Sequence, residues 1–104
     1  MANVTLHLLH VEHMGNMYRS GIGFQLEVAR ELLGKDKCYE AFAFNDMDGT
    51  VEQVADELFD LTNNPYRQTE RERKYGRGRS LSVGDIVQVD DKKLLCCSFG
   101  WKHI

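Results

Sequence analysis

Along this chain the spacing of apolar residues switches between the two-residue period of a strand and the 3.6-residue period of a helix. Val4, Leu6 and Leu8 alternate with Thr5 and His7, uninterrupted by Gly or Pro, which predicts a half-buried strand over Asn3 to His10. Glu12 to Gly23 contains Gly15, Gly21 and Gly23 with Asn16 and Ser20, and reads as a loop. From Phe24 the apolar positions are Phe24, Val28, Ala29, Leu32 and Leu33, a helical stripe that Gly34 would end as the C′ residue. Lys35, Asp36 and Lys37 make the following turn. The short aromatic run Cys38 to Phe44, with Tyr39, Phe42 and Phe44, predicts a second strand.

Asp46, Asp48 and Gly49 then turn the chain into its clearest helix. Thr50 with Gln53 three residues later matches a capping box. Val51, Val54, Ala55, Leu58 and Leu61 or Thr62 follow at helical spacing, with Glu52, Asp56 and Asp60 toward water. Asn63-Asn64-Pro65 stops this helix, because Pro cannot continue the hydrogen-bond ladder. Residues 66–80 are polar and charged and read as a connecting loop; Gln68 to Lys74 has too little apolar face for more than a short helical turn. Ile86, Val87 and Val89 lead into Asp90-Asp91-Lys92, and Leu94, Leu95, Cys96 and Cys97 run back, which predicts a hairpin. Phe99-Gly100-Trp101 brings a large aromatic to pack on the sheet, with room for a last short strand at Trp101–Ile104. The expectation is one α+β domain over residues 1–104. It runs in the order β-α-β-α-β-β, with a small mixed or antiparallel sheet, two helices packed on it and a C-terminal hairpin.

Three runs carry a resemblance: Leu61-Thr62-Asn63-Asn64-Pro65, Arg79-Ser80-Leu81-Ser82-Val83-Gly84-Asp85-Ile86-Val87 and Ser98-Phe99-Gly100-Trp101. In them the chain resembles small phage, plasmid and bacterial proteins that share a C-terminal SLSVGD(I/V)V…SFGW signature. More distantly, it is similar to YodL-like domains, whose LSVSD segment precedes a comparable hairpin. The match covers the C-terminal half well and the first half only in the order of its strand and helix. Members are mostly of unknown function, so the resemblance implies a mobile-element or bacterial cytosolic setting and supplies no catalytic residue. Physically, Gly84 permits a positive φ before the strand, Ser80 and Ser82 can bond local backbone, and Leu81 and Val83 alternate into the core. A structural signature is the leading reading; the functional one makes Ser82, Asp85 and Trp101 part of a binding edge.

Composition adds bounds. Apolar residues make up 42% and charged residues 28%, as in ordinary globular proteins rather than disordered ones. No run approaches the roughly 20 apolar residues of a membrane helix. Residues 1–5 lack the basic-then-apolar pattern of a signal peptide. Three cysteines, two of them adjacent, make no disulfide framework and point to a reducing cytosol.

Charge is uneven. Between Arg67 and Arg79 six basic residues meet two acidic ones, a local surplus of four that leaves −7 on the rest of a chain whose total is −3. Tyr66, Arg67, Arg71, Arg73, Lys74, Tyr75, Arg77 and Arg79 are therefore the candidate partner-binding residues. Arg and Tyr are favoured anchors for a protein partner. The same pair of residue types suits phosphates and stacked bases. The acidic body argues against general nucleic-acid affinity. The bland alternative is a solvated loop.

Other constellations are weaker. His7, His10 and His13 have a spacing that shares a metal only if the strand bends near Val11, with Cys38 or Cys96 as a fourth ligand. Cys96 and Cys97 point to opposite faces of a strand, and His103 is the nearest base in sequence for a thiol nucleophile. Gly21-Ile22-Gly23 lacks the rest of a phosphate-binding turn, and Asp46, Asp48 and Gly49 lack the rest of a calcium loop. No cofactor is expected. The leading expectation is a non-enzymatic, cytoplasmic accessory protein that binds a protein partner through the 66–79 loop and an adjacent sheet edge. A nucleic-acid-binding module is second, and a small metal-dependent or thiol enzyme third.

Overall fold

The structure, a computed structural model, describes residues 3–19, 24–35, 38–44, 47–76, 79–97 and 100–104. The expected loop at 20–23, the turn at 36–37, Asp46, Arg77, Gly78, Ser98 and Phe99 lie outside them. The elements are β1 (Val4–Leu9), α1 (Val11–Arg19), α2 (Gln25–Leu33), β2 (Tyr39–Phe44) and α3 (Val51–Asn63). A 3-10 turn at Pro65–Arg67, α4 (Gln68–Lys74), β3 (Ile86–Val89), β4 (Lys92–Cys97) and β5 (Gly100–His103) follow. The strands form a single antiparallel sheet in the order β2-β1-β3-β4-β5. The class is α+β, as expected, but the order gains α1; the short helical turn and the last short strand that the sequence leaves room for form as α4 and β5. Val11–Arg19 is a helix rather than a loop, and the 66–80 connection folds into the 3-10 turn and α4.

Each face of the sheet carries its own core. Val4, Leu6 and Leu8 of β1, Val87 and Val89 of β3, and Leu94 and Cys96 of β4 face Val51, Val54, Ala55, Leu58 and Leu61 of α3. Leu9, Ile86, Leu95 and Cys97 face the other way, against Ala29 and Leu32 of α2. Helices thus cover both faces, which is why β3 and β4 read as near-continuous apolar runs rather than as alternating ones. Leu58 and Leu61, at 0% and 1% exposure, each contribute roughly 1.5–3 kcal/mol by leaving water.

Local chemistry sets the element ends. The Thr50 hydroxyl accepts from the Gln53 N–H at 3.2 Å, and the Gln53 side chain accepts from the Thr50 N–H at 3.0 Å, so the capping box forms in full. Asn64 caps the far end, and its side chain accepts from Tyr66 N–H to start the 3-10 turn, with Pro65 at its first position. α2 ends at Gly34 as expected, with Gly34 as its C-cap rather than its C′ residue, at φ −77° in the right-handed region. In the hairpin Val89 faces Lys92, which leaves a two-residue turn of Asp90 and Asp91 with Asp90 at φ 55°. Asp90 also fastens the start of β1: its carboxylate accepts from Asn3 N–H, and its N–H donates to Asn3 O, each at 2.9 Å. Trp101 is only half buried. It lies opposite Cys96 on the α3 face, and its indole N–H donates to Asp56 at 3.2 Å.

Candidate interaction surface

The stretch leading into β3 is organised around Asp85, which is 0% exposed. Its Oδ1 accepts from Leu9 N–H at 2.8 Å and from Arg79 Nη2 at 2.7 Å. Its Oδ2 accepts from Ser82 N–H at 2.8 Å and from Arg79 Nη1 at 2.9 Å. The Arg79 guanidinium goes on to Leu9 O, Ser80 O and the Ser82 hydroxyl. A fork-on-carboxylate pair therefore ties the end of β1 to the start of β3. Gly84, at φ 99°, gives the turn its shape, and its carbonyl accepts from the Tyr39 hydroxyl at 2.8 Å. Ser80 reaches beyond its own neighbourhood, donating to Thr62 O at 2.7 Å. Leu81 and Val83 enter opposite cores, Leu81 under α3 and Val83 on the α2 side. A binding-edge role for Asp85 does not fit this geometry, since Asp85 is sealed from solvent, while Ser82 is half buried with its hydroxyl accepting from Arg79.

Most of the basic candidates turn inward. Arg67 is held by Glu57, Asp60 (2.7 Å) and Glu70. Its hydrogen bonds keep the Asp60 and Glu70 carboxyls below their ordinary range. Arg71 donates to Thr62 O at 2.9 Å and to the Ser80 hydroxyl at 3.2 Å, and lies over the Tyr75 ring. Tyr75 is buried: it meets Phe42 edge-on at 5.2 Å, stacks with Phe44 at 6.1 Å and donates to Arg79 O at 2.6 Å. Burial pushes its hydroxyl up to about 12. Once Glu57, Asp60 and Asp85 are counted with the residues they hold, the local surplus of four falls to one.

What remains outward is Tyr66, 97% exposed, together with Arg73 on the solvent side of α4. The end of this segment borders the β2 edge. A cleft of about 540 Å³ is lined by Tyr75, Arg79, Glu40, Phe42, His10 and Val11, among others. β2 closes one side of the sheet, with Ala41 and Ala43 exposed and Glu40 its only charge. Edge strands are commonly shielded by Lys, Pro or a charge pointing inward, and this sequence holds none of these. The edge role of β2 was invisible in sequence, because it follows from strand order and not from the Cys38–Phe44 pattern.

The histidines separate. His7 bonds to Gln88 at 2.8 Å, His10 lines the cleft, and His13 sits on α1 at 3.5 Å from Glu12. Among the described residues no three His, Cys, Asp or Glu side chains are grouped to hold a metal ion. Cys38, Cys96 and Cys97 are free and buried. Burial pushes the Cys96 thiol up to about 12 and raises that of Cys97, which disfavours the reactive thiolate. His103 meets Glu52 at 3.2 Å. No described helix is long and apolar enough to cross a membrane.

Compared with known proteins, the chain matches no family model, no curated protein and no solved structure.

Proposed function

We propose that this is a non-enzymatic accessory protein that binds a protein partner through the outer surface of the 66–79 segment and the neighbouring β2 edge. Tyr66 carries the reading. A tyrosine ring at 97% exposure, on a backbone turn held by Pro65 and the Asn64 cap, offers open aromatic contact area. Arg73 stands on the following helix, and the apolar β2 edge offers backbone groups for strand addition. The near-cancelled local charge favours a protein over nucleic acid, whose binding scales with neutralised phosphates. A cytoplasmic, mobile-element setting, with inhibition of a host protein such as a defence component as one form of the activity, is supported only by the resemblance of the 61–101 runs.

The test is photo-crosslinking in bacterial cells from a reactive residue at position 66, with and without Arg73→Glu. Specific protein adducts that Arg73→Glu abolishes are expected. Adducts that form equally from an unrelated exposed site such as position 91, or retention by the purified protein of nucleic acid that Arg73→Glu and added salt release, would sink the idea.

A further inference from the structure

At the opposite edge of the sheet from β2, α3 and β5 enclose a second cleft of about 320 Å³. It is lined by Asp56, Phe59, Asp60, Cys96, Gly100 and Trp101, among others, with the buried Cys96 on its sheet side and aromatic rings as walls. Phe59 is 42% exposed, and its ring meets Trp101 edge to face at 6.4 Å and 87°. Asp56 accepts the indole N–H, which sets a carboxylate beside the ring and adds to the negative potential of its face. The helix behind is acidic throughout: Glu52, Asp56, Glu57 and Asp60, with no Lys or Arg. Arg67 answers Glu57 and Asp60. That leaves Asp56 at the cleft, and Glu52 beside His103 farther along β5.

We propose that this cleft receives an arginine from an extended segment of another protein, which adds to the open edge of β5 as the next strand. A guanidinium can lie on an aromatic face while its N–H fork meets a carboxylate. The two-residue period of β5 sets the rest. Trp101 and His103 sit opposite Cys96 and Leu94, on the α3 face, whereas Lys102 sits opposite Leu95 on the other. The added strand therefore presents two side chains, two residues apart, to Asp56 and then to Glu52. The chemistry recognised is an extended segment with basic residues at alternate positions. This site shares no residue with the β2 edge or with Tyr66, so it stands or falls independently of the partner proposed there.

Trp101 is the chain's single tryptophan, so its emission reports on the cleft directly. The probe is a capped hexapeptide, Thr-Arg-Val-Arg-Val-Thr, titrated into the full-length protein. A saturable change in emission is expected, weakened about tenfold by Asp56→Asn and several-fold by Phe59→Leu. On the wild-type protein, a peptide with citrulline for arginine should lose about tenfold, and one with its arginines adjacent should lose a similar factor. No saturable change, equal binding of the citrulline peptide, or unchanged affinity in both variants overturns the arginine site. Equal binding of the adjacent-arginine peptide or of free arginine overturns the added strand.

Discussion

Replacing Arg79 with Leu separates a structural arginine from a partner-binding one. The substitution removes two of the four N–H groups that meet the buried Asp85 carboxylate and leaves Leu9 O without its guanidinium donor. Breaking a buried pair on one side costs about 3–5 kcal/mol, because the remaining charge stays desolvated. Arg79 itself is 27% exposed, so water can partly replace it, and the lower end, about 3 kcal/mol, is expected. That is a large share of the roughly 5–15 kcal/mol by which such a domain is stable. Urea unfolding at pH 7, followed by far-UV circular dichroism and Trp101 emission, should show the midpoint falling by about 1–3 M. Arg79→Lys, which keeps the charge and loses the fork, should fall between. Combining Arg79→Leu with Asp85→Asn should cost less than the two single changes added together. A midpoint within about 0.3 M of wild type for Arg79→Leu would refute the structural assignment and return Arg79 to the partner-binding set.

Thr50→Ala removes one half of the capping box and should cost about 1 kcal/mol, a fall of roughly 4–8 °C in melting temperature by calorimetry. Burial raises both the Tyr39 and Tyr75 hydroxyls, Tyr75 to about 12. The stability they contribute is therefore complete below their unfolded value, near 10, and is lost as pH rises above it, that of Tyr75 through about 12. Circular dichroism between pH 9 and 12 should follow that loss, with a shallower decline for Tyr39→Phe. Arg67→Ala should return the Asp60 and Glu70 carboxyls toward their ordinary range in an NMR titration. A thiol reagent at pH 8 should modify the cysteines far more slowly in native protein than in urea, since all three are buried.

Features written in neighbouring residues were legible. The Thr50–Gln53 box, the α3 stripe and the turn after Val89 each depend on contacts within a few positions. Helix α1 was not, because its apolar marks are sparse and Gly15 lowers its propensity. Val11 is 72% exposed, and the helix is held chiefly by packing on α2. The two-sided covering of the sheet was also hidden, since period-2 and continuous apolar runs do not say which helix takes which face. For the candidate surface, the charge surplus at 67–79 was read correctly and its exposure was not. Asp85 is six positions from Arg79 but receives Leu9 N–H from across the sheet, and Glu57 and Asp60 reach Arg67 from the preceding helix. Only Tyr66 and Arg73 stand open as expected of a contact surface; Arg77 lies outside the described residues.

The place of β1 in the sheet has a consequence for synthesis. It lies between β2 and β3, so one long side of it is finished only by residues 86–89, and Asn3 is fastened to Asp90. On the ribosome β1 and β2 can pair early, but the far side of β1 stays open until the hairpin has left the exit tunnel. Until then Leu6 and Leu8 lack the Val87 side of their core. Completion is thus a late, non-local step, of the kind that slows folding and lengthens exposure to chaperones and to other nascent chains.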